Sequence, residues 1–181
     1  MRRLIFIAVL LFSIGGAYAA EVSAQPDWCD YKWNAQEPIP SRLNLPSWAC
    51  EVIAKKNLAL VYSPTIRINP FFLTGDFDGD HRTDIAIWIT NRKTGELGLV
   101  IIHAKGQRVF VIGAGNETAR GRDLKGYNMW TLLPKGKIAK SPYEEHSVTL
   151  LGDALLLTES ESTSAMLYWN GKAYAWYQIS D

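Results

Sequence analysis

Four aspartates crowd into one short stretch, Gly75-Asp76-Phe77-Asp78-Gly79-Asp80-His81-Arg82-Thr83-Asp84, at relative positions 1, 3, 5 and 9. Carboxylates this close repel one another unless a cation compensates them. Side chains at alternate positions of a tightly curled loop point inward, and a main-chain carbonyl, that of Arg82 at position 7, can complete the ring. Ca2+ suits such a set, because it accepts several hard oxygen ligands in a flexible shell. A helix-loop-helix calcium site would carry Glu at position 12; Ile87 stands there, inside the alternating run Ile85 to Ile89. The plain alternative is a solvated acidic turn with no ion.

The run Gly-Asp-Phe-Asp-Gly-Asp-x-x-x-Asp-Ile-Ala-Ile, from Gly75 to Ile87, resembles the calcium-binding loop of FG-GAP/VCBS-type repeats, a family of integrin propellers and exported bacterial proteins. The resemblance implies that Asp76, Asp78, Asp80 and Asp84 bind Ca2+ through their side chains and Arg82 through its carbonyl. It covers about fifteen of 181 residues and identifies a loop, not a function. His81 departs from the family, which has Gly where the chain turns with positive φ. A Cβ is costly there, which implies a weaker site or a turn that uses Gly79 differently. A propeller needs several repeats and this chain has one, so the loop reads as a structural staple between a turn and its strand.

Other groups could do chemistry. Glu144 and Glu145 precede His146 in a polar loop, where an acid/base pair is conceivable beside the ordinary reading of exposed loop charge. His103 shares a strand face with Leu99 and Ile101 and reads as a hydrogen-bonded core or edge histidine. Gly113-Ala114-Gly115-Asn116 is better explained as a flexible turn than as a phosphate site, since it lacks a third Gly and a following helix. Trp169, Tyr174 and Trp176 share one face of a C-terminal hairpin. Exposed, that face would be a platform for a sugar, peptide or protein; covered, it is core.

Arg2 and Arg3, the apolar run from Leu4 to Ile14 and the small residues Ala17-Tyr18-Ala19 together predict a secretory signal peptide over 1–19. The apolar run is short of the ~20 residues that span a bilayer, and no later segment is long and apolar enough to cross one. Removing two positive charges with the leader takes the net charge from +1 to −1. That balance argues against nucleic acid as a partner. Export to the periplasm or beyond makes a disulfide between Cys29 and Cys50, the only two cysteines, the simplest use of both.

These groups require elements to position them. Residues 20–57 read as a Pro-rich irregular arm, tied by the disulfide, and a helix from Trp48 to about Lys56. Residues 58–181 read as a β domain. Strand chemistry begins at Leu58-Ala59-Leu60-Val61-Tyr62, a meander follows over 84–90, 98–104 and 108–112, and 113–145 is a long excursion with one ordered piece at Tyr127 to Leu133. Asn170-Gly171 signals a two-residue hairpin turn in which Trp169 faces Lys172 and Leu167 faces Tyr174. The expected fold is a single β-rich, mainly antiparallel domain with one N-terminal helix. The expected function is a calcium-stabilised binding module for an unknown protein or glycan of the cell envelope or exterior. The alternatives are a hydrolase of envelope or extracellular polymer using Glu144, Glu145 and His146, and an inhibitor or immunity-like protein that plugs a partner with 113–145.

Overall fold

The computed structural model describes residues 28–29, 44–138 and 140–181. The leader expected over 1–19 and most of the irregular arm lie outside the described residues. The elements in chain order are α1 (Ser47–Lys55), α2 (Leu58–Val61), β1 (Tyr62–Pro64), β2 (Phe72–Gly75), β3 (Asp84–Asn91), β4 (Leu97–His103), β5 (Arg108–Gly113), β6 (Met129–Leu133), β7 (Lys137–Ile138), β8 (Val148–Thr149), β9 (Ala154–Glu159), β10 (Thr163–Trp169) and β11 (Tyr174–Ser180). Every strand pairing is antiparallel.

β3 is the hub of the first sheet. β4 runs along one edge of it, while β2 and β1 share the other edge, over Asp84–Ile87 and Ile89–Asn91 respectively. β5 lies outside β4, and the second sheet runs β11-β10-β9-β6. Because side chains alternate along a strand, the unbroken apolar run from Ile85 to Ile89 needs cover on both sides, and it gets it. Ile85, Ile87, Ile89, Val100 and Ile102 bury against Ala49, Val52 and Ile53 of α1. Ala86, Trp88, Leu99 and Ile101 face Leu155, Leu157, Ala165 and Leu167 of the second sheet. The far side of that sheet carries Met166 and Tyr177, roofed by Ile138 and Val148 of the small β7–β8 pair. The molecule is thus a β-rich stack of helix, sheet, sheet and hairpin, with one long helix as expected.

The Cys29–Cys50 disulfide forms, with Cα atoms 5.8 Å apart, and ties Cys29 and the buried Trp28 to α1. Among the described residues no helix is long and apolar enough to cross a membrane.

Three local expectations are corrected. Leu58–Val61 is a helical turn, and only Tyr62 enters a strand. Arg92, from the distant β3–β4 turn, donates from Nε to the carbonyls of Ala59 (2.9 Å) and Tyr62 (3.1 Å) and so satisfies the end of that turn. The C-terminal hairpin pairs Trp169 with Tyr174 and Leu167 with Trp176, two residues away from the expected register. The Asn170 side chain accepts from the N–H groups of Lys172 and Ala173, both at 2.9 Å, which builds a four-residue turn in place of a two-residue one. A shift of two keeps every side chain on its predicted face. Finally, the 113–145 excursion holds its expected ordered piece, as β6 in the second sheet, but adds β7 as well, and Tyr177 ties it down by donating to the His146 carbonyl while accepting from Ser141 N–H.

Replacing both cysteines with serine is expected to lower the unfolding free energy by about 3 kcal/mol, the loop-closure contribution for a separation of 21 residues. Urea denaturation checks this. An unchanged midpoint would show that packing of Trp28 alone holds the arm.

Candidate metal centre

The acidic loop is the connection between β2 and β3, closed where Gly75 pairs with Asp84. Phe77 is fully buried in the inter-sheet core and plugs the loop into the fold. Asp84, the first residue of β3, is buried as well; its Oδ2 accepts from Phe77 N–H (3.0 Å) and its Oδ1 from Ala104 N–H (2.8 Å). Burial pushes this carboxyl up to about 6, although the Ala104 N–H pulls it down, and the negative charge of Asp78 raises it further. From the second sheet, the Gly152-Asp153 turn clamps the loop. Asp153 N–H donates to the Asp76 carbonyl (2.6 Å), and Asp153 Oδ2 accepts from Asp76 N–H (2.9 Å).

Within the loop, one oxygen of each of two carboxylates braces the backbone. Asp78 Oδ1 accepts from Asp80 N–H (3.3 Å) and Asp80 Oδ1 from Arg82 N–H (2.9 Å). Asp78 Oδ2 takes the Arg108 guanidinium at 2.7 Å. What remains is telling: Asp76 Oδ1 and Asp80 Oδ2 are buried and have no hydrogen-bond partner. A buried acceptor left unpaired costs about 1–3 kcal/mol, more when charged. The neighbouring basic side chains do not answer for them. Lys105 Nζ stands 3.9 Å from Asp80 Oδ2, Lys135 Nζ 4.0 Å from Asp76 Oδ2, and His81 Nδ1 3.8 Å from the same oxygen. All three are about half exposed or more, and exposed pairs at such distances contribute little. Oxygens of Asp76, Asp78 and Asp80 lie within 4.8 Å of one another, so the donor set fits a hard metal cation.

A second group of side chains backs the loop. His103 is fully buried; its Nε2 is 2.7 Å from Tyr174 Oη, and its Nδ1 is 3.1 Å from Asp78 Oδ2. Burial lowers the basicity of His103, against the pull of Asp78 upward and with that of Arg108 downward. Burial also holds the proton on Tyr174, helped by the charges of Asp84 and Asp78. Nδ1 also lies 3.1 Å from the donor-only Arg108 Nη2, so it meets Asp78 as N–H or Arg108 as a bare nitrogen, and Nε2 takes the complementary role toward Tyr174 Oη. Arg108 lies over the Trp169 ring at 5.2 Å.

Asp76, Asp78 and Asp80 are therefore brought together, and Asp84 sits beside them against Asp78 and His103 with both oxygens spent on backbone N–H groups. His81 adopts φ 66°, the left-handed conformation its position demands, and Gly79 has φ 79°. Glu144 Oε1 accepts from Gln178 N–H (2.6 Å), whereas Glu145 and His146 stand in solvent, 94 % and 88 % exposed and 3.9 Å apart. Trp169, Tyr174 and Trp176 pack inward: Trp169 and Tyr174 on His103 and Phe110, Trp176 stacked on Tyr127. The Gly113 turn spends the N–H groups of Ala114, Gly115 and Asn116 on Leu97, Arg122 and Gly113 carbonyls. Sequence reasoning missed Arg108 and Tyr174 as partners of the loop. A signal was present: His103 and Arg108 oppose each other at the end of an otherwise apolar strand pair. Comparison with protein-family models, curated proteins and solved structures returns no match.

Two substitutions read the loop's backbone. In Gly79→Ala the new Cβ meets the Leu151 carbonyl at positive φ, and a loss of about 2–3 kcal/mol is expected. His81→Gly removes a left-handed Cβ and is expected to gain about 1 kcal/mol. Chemical denaturation of both variants checks the pair; a destabilised His81→Gly would show that the imidazole is needed beside Asp76.

Proposed function

We propose that this chain is an exported binding module, stapled by Ca2+ at Asp76, Asp78, Asp80 and the Arg82 carbonyl in the manner of a single FG-GAP/VCBS-type loop. Its role is to hold a protein or glycan partner in the periplasm or outside the cell. The observation that carries this reading is the pair of buried, partnerless carboxylate oxygens, Asp76 Oδ1 and Asp80 Oδ2, in a loop where oxygens of Asp76, Asp78 and Asp80 come within 4.8 Å of one another. When bound, the ion supplies charge compensation and hard Lewis-acid coordination. The protein's own part is to hold the loop open toward it: Phe77 anchors, Asp84 and Asp153 clamp, and Arg108 fixes Asp78. The Cys29–Cys50 bridge supports an oxidising compartment. The binding reading is favoured over the hydrolase because Glu145 and His146 stand in solvent and Glu144 is occupied by a strand N–H.

Thermal melting in about 2 mM calcium and in chelator tests the staple. At a hundredfold excess over Kd, binding contributes about 2.7 kcal/mol, which raises Tm by about 5–10 °C for a chain of this size. Asp76→Asn/Asp80→Asn is expected to melt at least as high as the native protein in chelator, since repulsion is relieved, and to gain nothing from calcium. A native melting temperature indifferent to calcium would refute the staple.

A further inference from the structure

β5 is the outer strand of the first sheet and pairs with β4 on one side only. Ala114 N–H donates to the Leu97 carbonyl at 2.9 Å, which sets the phase of the β4–β5 ladder. Bonded and non-bonded residue pairs alternate along an antiparallel ladder. Ile112, Phe110 and Arg108 therefore exchange their bonds with Leu99, Ile101 and His103, while Val109 and Val111 turn their N–H and C=O groups away from β4. Among the described residues nothing pairs with those outward groups. The free edge has defined ends. Gln107 has φ 51° and Gly113 φ 70°, so the extended segment runs from Arg108 to Ile112 and is centred on Phe110.

Proteins commonly blunt such edges with proline, charge or bulges. β1 carries Pro64, and on β11 Glu144 takes the Gln178 N–H while Arg120 binds the Gln178 side chain. β5 has no proline and no shift of register against β4, and its single charge, Arg108, is drawn off to Asp78. Val109, Phe110, Val111 and Ile112 are only half-buried, although Leu99 to Ile102 beside them on β4 are fully buried. Val109 and Val111 lie on the helix side of the sheet and Phe110 on the inter-sheet side. The core is thus unfinished on both faces at this edge.

The symmetry of the segment says what finishes it. Val109-Phe110-Val111 reads the same in both directions. Laid antiparallel to itself about a two-fold axis at Phe110, β5 sets Val109 opposite Val111 of the second copy, and Val111 opposite its Val109. These are the residues whose backbone groups point outward, so two pairs with two bonds each give four hydrogen bonds. Phe110 meets its own copy on the other face, and aromatic and β-branched cross-strand pairs stabilise a sheet. Arg108 falls opposite Ile112, so no like charges meet, and a net charge of +1 does little to hold two copies apart.

We propose that the protein forms a two-fold dimer through β5, which joins the first sheets of two copies into one continuous sheet. The dimer does not depend on the ion. Sedimentation velocity of the protein from micromolar to submillimolar concentration tests it, and a shift from monomer to dimer is expected. Val111→Pro removes one outward N–H from each copy, two of the four bonds, and no bond to β4. It should weaken the dimer at least about tenfold. Amide exchange of the unaltered protein decides the matter should that variant not fold. The Val109 and Val111 amides should exchange at least about tenfold more slowly at the highest concentration than at the lowest, while the Phe110 amide, already bonded to Ile101, should not change. A monomer at every concentration would overturn the proposal. So would a dimer in which the Val109 and Val111 amides gain no protection, or one that folded Val111→Pro forms as tightly.

Discussion

The buried carboxylate of Asp84 is the constraint on which the functional end of the molecule depends. It closes the β2–β3 connection opposite Gly75, grips the loop through Phe77 N–H and grips the end of the β4 hairpin through Ala104 N–H. A carboxylate out of solvent is costly unless its oxygens are hydrogen-bonded. Asp84 meets that condition with two backbone donors, one on each of the segments that must be held together. Its position at the head of β3 then decides the layers. β3 has partners along both edges and cover on both faces, so the loop is mounted on a fully paired, largely buried strand.

A second polar chain runs between the sheets. Asp78, His103 and Tyr174 are linked at 3.1 and 2.7 Å, which joins the loop on the first sheet to the hairpin on the second. Buried polar networks are safe only when fully satisfied, and here the tyrosine oxygen, both imidazole nitrogens and the Asp78 oxygen all find partners. The same network explains the aromatic hairpin face. Trp169 and Tyr174 surround His103 and Phe110, shielding the relay from water, so their packing is bound up with the loop's electrostatics rather than with a platform for ligands.

Much of this was legible in the residues. Alternation in Ile85 to Ile89 foretold a strand covered on both faces, the aspartate spacing foretold a convergent loop, and two cysteines foretold a bridge. What escaped was decided by partners distant in sequence. Leu58–Val61 looks like a strand until Arg92 supplies donors to its carbonyls. The Asn170-Gly171 dipeptide fits a two-residue turn until the Asn170 side chain recruits two N–H groups. Tyr174 joins the site only through packing of the two sheets, and Arg108 was signalled only by its place opposite His103 at the end of the β4–β5 hairpin.

The aspartate oxygens divide their labour, and the division bears on how an ion would act here. Asp78 Oδ1, Asp80 Oδ1 and both oxygens of Asp84 brace main-chain N–H groups, so the curl of the loop is written in protein hydrogen bonds. Gly79 and His81 already occupy their left-handed conformations within that frame. Small metal domains that fold only on binding lack such a frame, and for them binding free energy is folding free energy. In this loop the frame is preorganised, and what it leaves unresolved is charge: Asp76 Oδ1 and Asp80 Oδ2 buried without partners, with ammonium groups only at long range. A cation bound there would therefore act on this fold chiefly by relieving repulsion among oxygens that the backbone has already brought together, while Asp84 serves as the clamp.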